Sequence, residues 1–186
     1  MACAYSWIPN VAMAQATKQA ATVLRANQLI LEDENGKTRL ELVVDKGGPA
    51  IRLLDENGKR SFVLFVGNEG PGLAMGDDKV TRVGMTANKN GPLLTMRDED
   101  GKARASLGAV KEGPYLTMCD ENGKSRAELA ACRDGPRLEL RDENEKSRAV
   151  LGIARTKSPD GKEIKYPESS LLLFGPDEKA IWSAPR

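Results

Sequence analysis

The 186-residue chain has no histidine, and its aromatic residues number only two Trp, three Tyr and three Phe. Without an imidazole, a Ser-His-Asp triad, a Cys-His nucleophile, a His metal ligand and a His-based pH switch are all excluded. An excess of charge of either sign is also missing. Lys and Arg total 28 against 27 Asp and Glu, a net charge of +1, so no overall field draws the chain to nucleic acid or to an anionic membrane. Cysteine is scarce: Cys3, Cys119 and Cys132 are odd in number and spaced for neither a disulfide framework nor the paired CxxC of a zinc site. They read as reduced, mostly buried thiols. No apolar run approaches the roughly 18 residues of a membrane span. The opening Met1-Ala-Cys-Ala-Tyr-Ser-Trp-Ile-Pro lacks the basic start and long apolar run of a cleaved signal. The expectation is a soluble, cytoplasmic chain with no cofactor and no nucleic-acid partner.

What is present is a repeat. Asp33, Asp55, Asp77, Asp98, Asp120 and Asp142 recur at intervals of 22, 22, 21, 22 and 22 residues. Around them one pattern, L-x-L-x-D-E-N-G-K-x-R-x-x-L, is written six times, most clearly at Leu31 to Leu42, Met96 to Leu107 and Met118 to Leu129. Gly-Pro pairs at Gly48, Gly70, Gly91, Gly113 and Gly135 place a Pro six residues before each following Asp. A seventh, degenerate copy, Leu171 to Trp182, follows an insertion, Arg155 to Ser170, whose Ser158-Pro159-Asp160-Gly161 reads as an exposed loop or small hairpin.

Each unit carries the signals of a β-hairpin. Two alternating runs meet at Asp-x-Asn/Asp-Gly, where Gly supplies the positive φ and the Asp or Asn bonds its own backbone, enough for a type I turn closed by a Gly bulge. The Gly-Pro pair then reverses the chain, with Pro at a strand start because it cannot donate to a ladder. Two units depart from the rule. The turn at Gly76-Asp77-Asp78-Lys79 is a residue short, and Glu145 stands where the turn Gly belongs, leaving Asn144 as the expected left-handed residue. Parity places Leu31, Leu53, Met75, Met96, Met118, Leu140 and Leu173 on one face, and Arg104, Arg126 and Arg148 on the other.

A sheet of about fourteen short antiparallel strands must hide its dry face and its edges. The expected fold is therefore all-β, a closed radial barrel of about seven hairpin repeats of ~22 residues. A propeller fits less well, because its blades need about forty residues. Residues 1–26 form a separate N-terminal segment, with a short helix expected over Val11 to Arg25, and residues 27–186 form the barrel with its insertion at 155–170.

Several features invite a functional reading. Met75, Met96 and Met118 would line an adaptable lumen for an apolar small molecule or lipid, although such a stripe is more commonly plain core. The turn lysines Lys37, Lys59, Lys79, Lys102, Lys124, Lys146 and Lys179 gather at one rim, as a headgroup site would require, but acids accompany nearly all of them. Arg39, Arg82, Arg104, Arg126 and Arg148 form a row suited to phosphates, or to pairing with carboxylates of the same wet face. The Asp-x-Asn/Asp-Gly turn lacks the twelfth-position Glu of a calcium loop, so no metal is expected. Carboxylates recur in every unit, whereas a catalytic site normally breaks a repeat. The places that do break it, Arg155 to Ser170, the turn at Gly76, and Phe62 to Phe65, present no reaction class, so no catalytic residue is assigned.

The units quoted above, most complete at Gly113 to Ala130, resemble those of the β-flower proteins, a bacterial group of hairpin-repeat barrels, and the closing Ala180-Ile-Trp-Ser-Ala-Pro185 is similar to the way such chains end. The resemblance covers about Ala26 to Arg186. It implies a shallow closed barrel, similar in outline to the tubby C-terminal domain, and no established activity. Members of that group often carry a membrane anchor ahead of the barrel, which is not evident here. The function expected is non-enzymatic: a binding module holding an apolar ligand or lipid in the barrel. The alternative is a structural protein that self-associates or meets a protein partner through its N-terminal segment.

Overall fold

A computed structural model of the protein describes residues 23–157, 163–166 and 170–184. Each repeat forms a hairpin, as its turn chemistry requires. The pairs are β1 (Gln28–Glu32) with β2 (Thr38–Asp45), β3 (Gly48–Leu54) with β4 (Arg60–Gly67), and β5 (Gly70–Gly76) with β6 (Thr81–Asn88). They continue with β7 (Gly91–Arg97) and β8 (Ala103–Val110), β9 (Gly113–Cys119) and β10 (Ser125–Cys132), and β11 (Gly135–Arg141) and β12 (Ser147–Gly152). After the insertion, which forms a two-stranded sheet of β13 (Arg155–Lys157) and β14 (Glu163–Lys165), comes β15 (Leu171–Phe174) with β16 (Ala180–Ala184).

The turns follow one plan. In the first, Gly36 N–H donates to Asp33 O and Asp33 N–H to Lys37 O, while Asp33 Oδ1 accepts from the N–H of Asn35 and Lys37. The same bonds recur at Asp55, Asp98, Asp120 and Asp142. Gly36 takes the left-handed position at φ 73°, and in the sixth turn Glu145, not Asn144, takes it at φ 62°. The count from the Asp fixes which residue must be left-handed, and that count outweighs the greater ease with which Asn adopts it.

The fourteen strands of the hairpins form one antiparallel meander in the order β1 to β12, β15, β16. Its two ends, β1 and β16, do not pair among the described residues, so the sheet is open. This corrects the expectation of a closed radial barrel: hairpin formation is local, whereas closure needs a particular shear summed over all strands. The expected N-terminal helix lies almost wholly outside the described residues, and the described end of it, Val23 to Arg25, is not helical.

Burial also differs from expectation. The face that carries the repeated Leu and Met is open, while the small buried cluster Val150, Ala154, Leu172 and Phe174 lies under the insertion, with Tyr166 packed against it and its N–H donating to Ala154 O. Val150 and Leu172 stand opposite one another in the register and in line with the polar Glu139 and Glu128 of the preceding strands. The second face thus turns apolar at its last strands, and there the insertion covers it.

Candidate functional site

The register assembles the open face into rows that cross the whole sheet. One row runs Leu31, Leu40, Leu53, Phe62, Met75, Val83, Met96, Ala105, Met118, Ala127, Leu140, Ala149, Leu173, Trp182. Two residues along each strand a second row runs from Leu29 and Leu42 through Leu107 and Leu129 to Leu151 and Leu171. A third begins with Val44, Pro49, Val66 and Pro71. No charged side chain falls in these rows. Met75, Met96 and Met118 therefore do lie together, but on an open face, 39%, 47% and 47% exposed, and not in a lumen.

At strand spacings of about 4.8 Å the band is about 60 Å long, and from Pro49 to Leu53 it is about 13 Å wide, roughly 800 Å² of sheet. Soluble monomers rarely expose more than a few hundred Å² of continuous apolar surface. Among the described residues 24 large apolar side chains are exposed, whereas only six hydrophobic residues are buried. At the β1 end the band deepens into a hollow of about 490 Å³ lined by Leu24, Leu29, Leu42, Ile51, Leu64 and Val66, with Pro49 and Pro71 at its margin.

The opposite face is a lattice of ion pairs, and a device not legible from parity organises it. Just past each turn the register slips by one residue, making Arg39, Ser61, Arg82, Arg104, Arg126, Arg148 and Ile181 the bulged residues. A bulge re-aims its side chain. Four of the arginines reach back to the Asp of their own turn: Arg39 to Asp33 at 3.8 Å, Arg104 to Asp98 at 3.4 Å, Arg126 to Asp120, and Arg148 to Asp142. Arg126 also donates to Asp142 O, and Arg148 to Gly175 O, in the turn of the next hairpin. Lysines do the same. Lys37 Nζ donates to Glu56 O, Lys102 to Glu121 O, Lys124 to Glu143 O and Lys146 to Pro176 O. Lys37, Lys102, Lys124 and Lys146 of the rim, and Arg126 and Arg148 of the row, are thus staples between neighbouring turns, while Arg39 and Arg104 pair within their own.

Farther along the same face, Arg137 meets Glu128 at 2.5 Å, Arg141 meets Glu139 at 2.8 Å, and Ser147 Oγ donates to Glu139. Burial pushes the Glu139 carboxyl up, but the bonds from Arg141 and Ser147 and the charges of Arg141 and Arg137 outweigh it and hold the pKa below the ordinary value. A carboxylate so held is a poor proton donor near neutral pH. Among the described residues no group of three acids or cysteines is placed to hold a metal ion. Cys119 is partly buried and Cys132 exposed, both unpaired, so the expected burial holds for neither in full; Cys3 lies outside the described residues. No helix among the described residues is long and apolar enough to cross a membrane.

The turn aspartates link this lattice to pH. At Asp33 and Asp55 the N–H of Lys37 and Lys59 is the largest influence and lowers the pKa. At Asp98, Asp120 and Asp142 desolvation is largest and raises it, but the turn N–H groups and the bulged Arg together outweigh it. Because the folded-state values lie below the unfolded value of roughly 3.9, the stabilisation is complete above that pH and is lost as pH falls through the folded-state values. The thermal midpoint is expected to stay level from pH 7 to 5 and to fall steeply below about pH 4. Thermal melts followed by circular dichroism check this, and a midpoint unchanged at pH 3 would contradict it.

Compared with known proteins, the chain matches no family model, and no curated protein is significantly similar to it. The resemblance to the β-flower proteins is corrected by the open sheet: what stands is an all-β repeat of hairpins, not the closed barrel that defines that group.

Proposed function

We propose that the protein is a non-enzymatic assembly module, a hairpin-repeat sheet that works by docking its apolar face on another protein surface. The observation that carries this reading is the uncharged band itself, about 60 Å long, in a chain whose described part buries only six hydrophobic residues. Leaving such a band in water forfeits about 25 cal/mol for every Å² that a partner would cover. A bilayer is the weaker occupant. The band is about half the ~25 Å apolar height of outer-membrane barrels, and four of the seven rim lysines that would meet lipid headgroups are tied to carbonyls of neighbouring turns. The unpaired thiols of Cys119 and Cys132 favour a reducing, cytoplasmic compartment.

A second reading rests on the 490 Å³ hollow beside β1, which has the size and lining of a site for an apolar small molecule or an acyl chain. Native mass spectrometry of the full-length protein, purified without detergent, separates the two. A defined multiple of the chain mass is the expected result. A single chain carrying a discrete extra mass would favour the ligand site, and a bare single chain at micromolar concentration would contradict both.

A further inference from the structure

We infer that a second copy of the same chain covers the apolar face, related by a two-fold axis that runs parallel to the strands between β9 and β10. This rests on the reading of the face as an assembly surface and adds the occupant and its register. The carrying observation is an alternation in size. From β7 to β12 the long row reads Met96, Ala105, Met118, Ala127, Leu140, Ala149, large and small by turns. Strands about 4.8 Å apart make this a corrugation with a period of about 10 Å, ridges of Met and Leu separated by grooves of Ala.

Sheets that pack face to face bury their surfaces by interdigitating side chains. Rotation about an axis along the strands keeps each row at its own height and reverses the strand order. With the axis between β9 and β10, each ridge of the long row from β7 to β12 then meets a groove. Met118 of one copy lies over Ala127 of the other, Leu140 over Ala105, and Met96 over Ala149. Moving the axis onto a strand would set ridge on ridge and groove on groove, a mismatch that leaves cavities and clashes.

The extent of the overlap fits a stable interface. Ten strands, β5 to β12 with β15 and β16, lie opposite one another, about 600 Å² of sheet per copy and about 1,200 Å² in total, at the lower bound of specific protein interfaces; the ridges and grooves of β7 to β12 form its centre, and at its margins Val83 faces Leu173 and Met75 faces Trp182. The chain's own first 22 residues cannot replace this partner. Even as one continuous helix they would make a rod about 33 Å long and 10 Å wide, less than half of the band. The four strands outside the overlap contribute Leu31, Leu40, Leu53 and Phe62 to the row, with no small residue among them, and they hold the hollow instead.

The test exchanges a ridge and a groove that never touch within one chain. Ala105 and Leu140 are separated by β9 and β10, about 14 Å across the sheet, yet the proposed axis brings them together between copies. Ala105→Leu is expected to weaken the dimer by at least ten-fold in sedimentation equilibrium, since it sets ridge against ridge, and Leu140→Ala by a similar factor, since it leaves two facing grooves. The double variant Ala105→Leu/Leu140→Ala restores the fit and is expected to return the dissociation constant to within about three-fold of the parent. A dimer whose double variant is no stronger than the weaker single one would overturn the register while leaving the assembly reading intact. A chain that stays monomeric at every concentration would overturn both.

Discussion

Gly113→Ala is expected to destabilise the protein by about 3 kcal/mol or more, whereas Gly123→Ala, ten residues later in the same hairpin, costs about 1 kcal/mol. Both glycines have positive φ, 134° and 77°, so both substitutions carry backbone strain. What separates them is space. A Cβ on Gly123 would meet nothing within 4 Å, because the turn projects into water. A Cβ on Gly113 would fall on the backbone carbonyl of Ala131, far inside the 3.0 Å that real Cβ atoms keep, and that carbonyl belongs to the ladder and cannot step aside. The same near-contact recurs from Gly48 to Val66 O, from Gly70 to Ala87 O and from Gly91 to Ala109 O. Glycine at the Gly-Pro corner is therefore what lets the first strand of each of these hairpins begin at a single strand spacing from the end of the second. Urea unfolding of the two variants measures the difference directly, and equal losses would mean that the corner tolerates a side chain and that the close approach is not required.

The contrast between these glycines shows how far sequence reading reaches in this fold. Turn chemistry is written within five residues, so the hairpins, their registers and the apolar parity follow from Asp-x-Asn/Asp-Gly and from alternation. Closure is written nowhere in particular. It depends on twist and shear accumulated over fourteen strands, to which each residue contributes a little, and a repeat that pairs well with its neighbour on both sides pairs equally well in an open meander. Parity likewise shows which side chains share a face but not whether anything covers that face, so the alternation that aligns Met75, Met96 and Met118 in one row cannot distinguish an open face from a lumen.

Two further features left a local signal. At Asp33, Asp98, Asp120 and Asp142 the spacing to the Arg six residues on already holds the extra residue that becomes the bulge. The polar parity of Glu128 and Glu139 gives way to Val150 and Leu172 in the last strands, the mark of a second covered surface. The insertion Arg155 to Ser170 lies between those two residues in sequence, and the structure lays Tyr166 over them.

The double substitution Leu107→Glu/Leu129→Glu is expected to abolish association through the open face while leaving the single chain as stable as before. Each side chain is 52% exposed, so neither supports the fold by being buried within it, and exposed substitutions of this kind usually change stability by no more than about 0.5 kcal/mol. In the assembly both positions face apolar surface. A carboxylate there has no cationic partner within the uncharged rows and must either lose its hydration or take up a proton, a cost of several kcal/mol per group. With four such groups across a two-fold interface, the dissociation constant is expected to rise by at least 10³-fold, which puts any association beyond ordinary working concentrations. Leu107→Met/Leu129→Met conserves volume and apolarity and is expected to keep the parent mass, since such swaps usually cost less than about 1.5 kcal/mol. Sedimentation of the three proteins at equal concentration, with melts extrapolated to low concentration to remove the mass-action contribution of binding, reads both halves of the expectation. A glutamate variant that retains the parent mass would place the contact elsewhere on the molecule, with the unpaired outer edges of β1 and β16 as the remaining route by which one sheet could continue into the next.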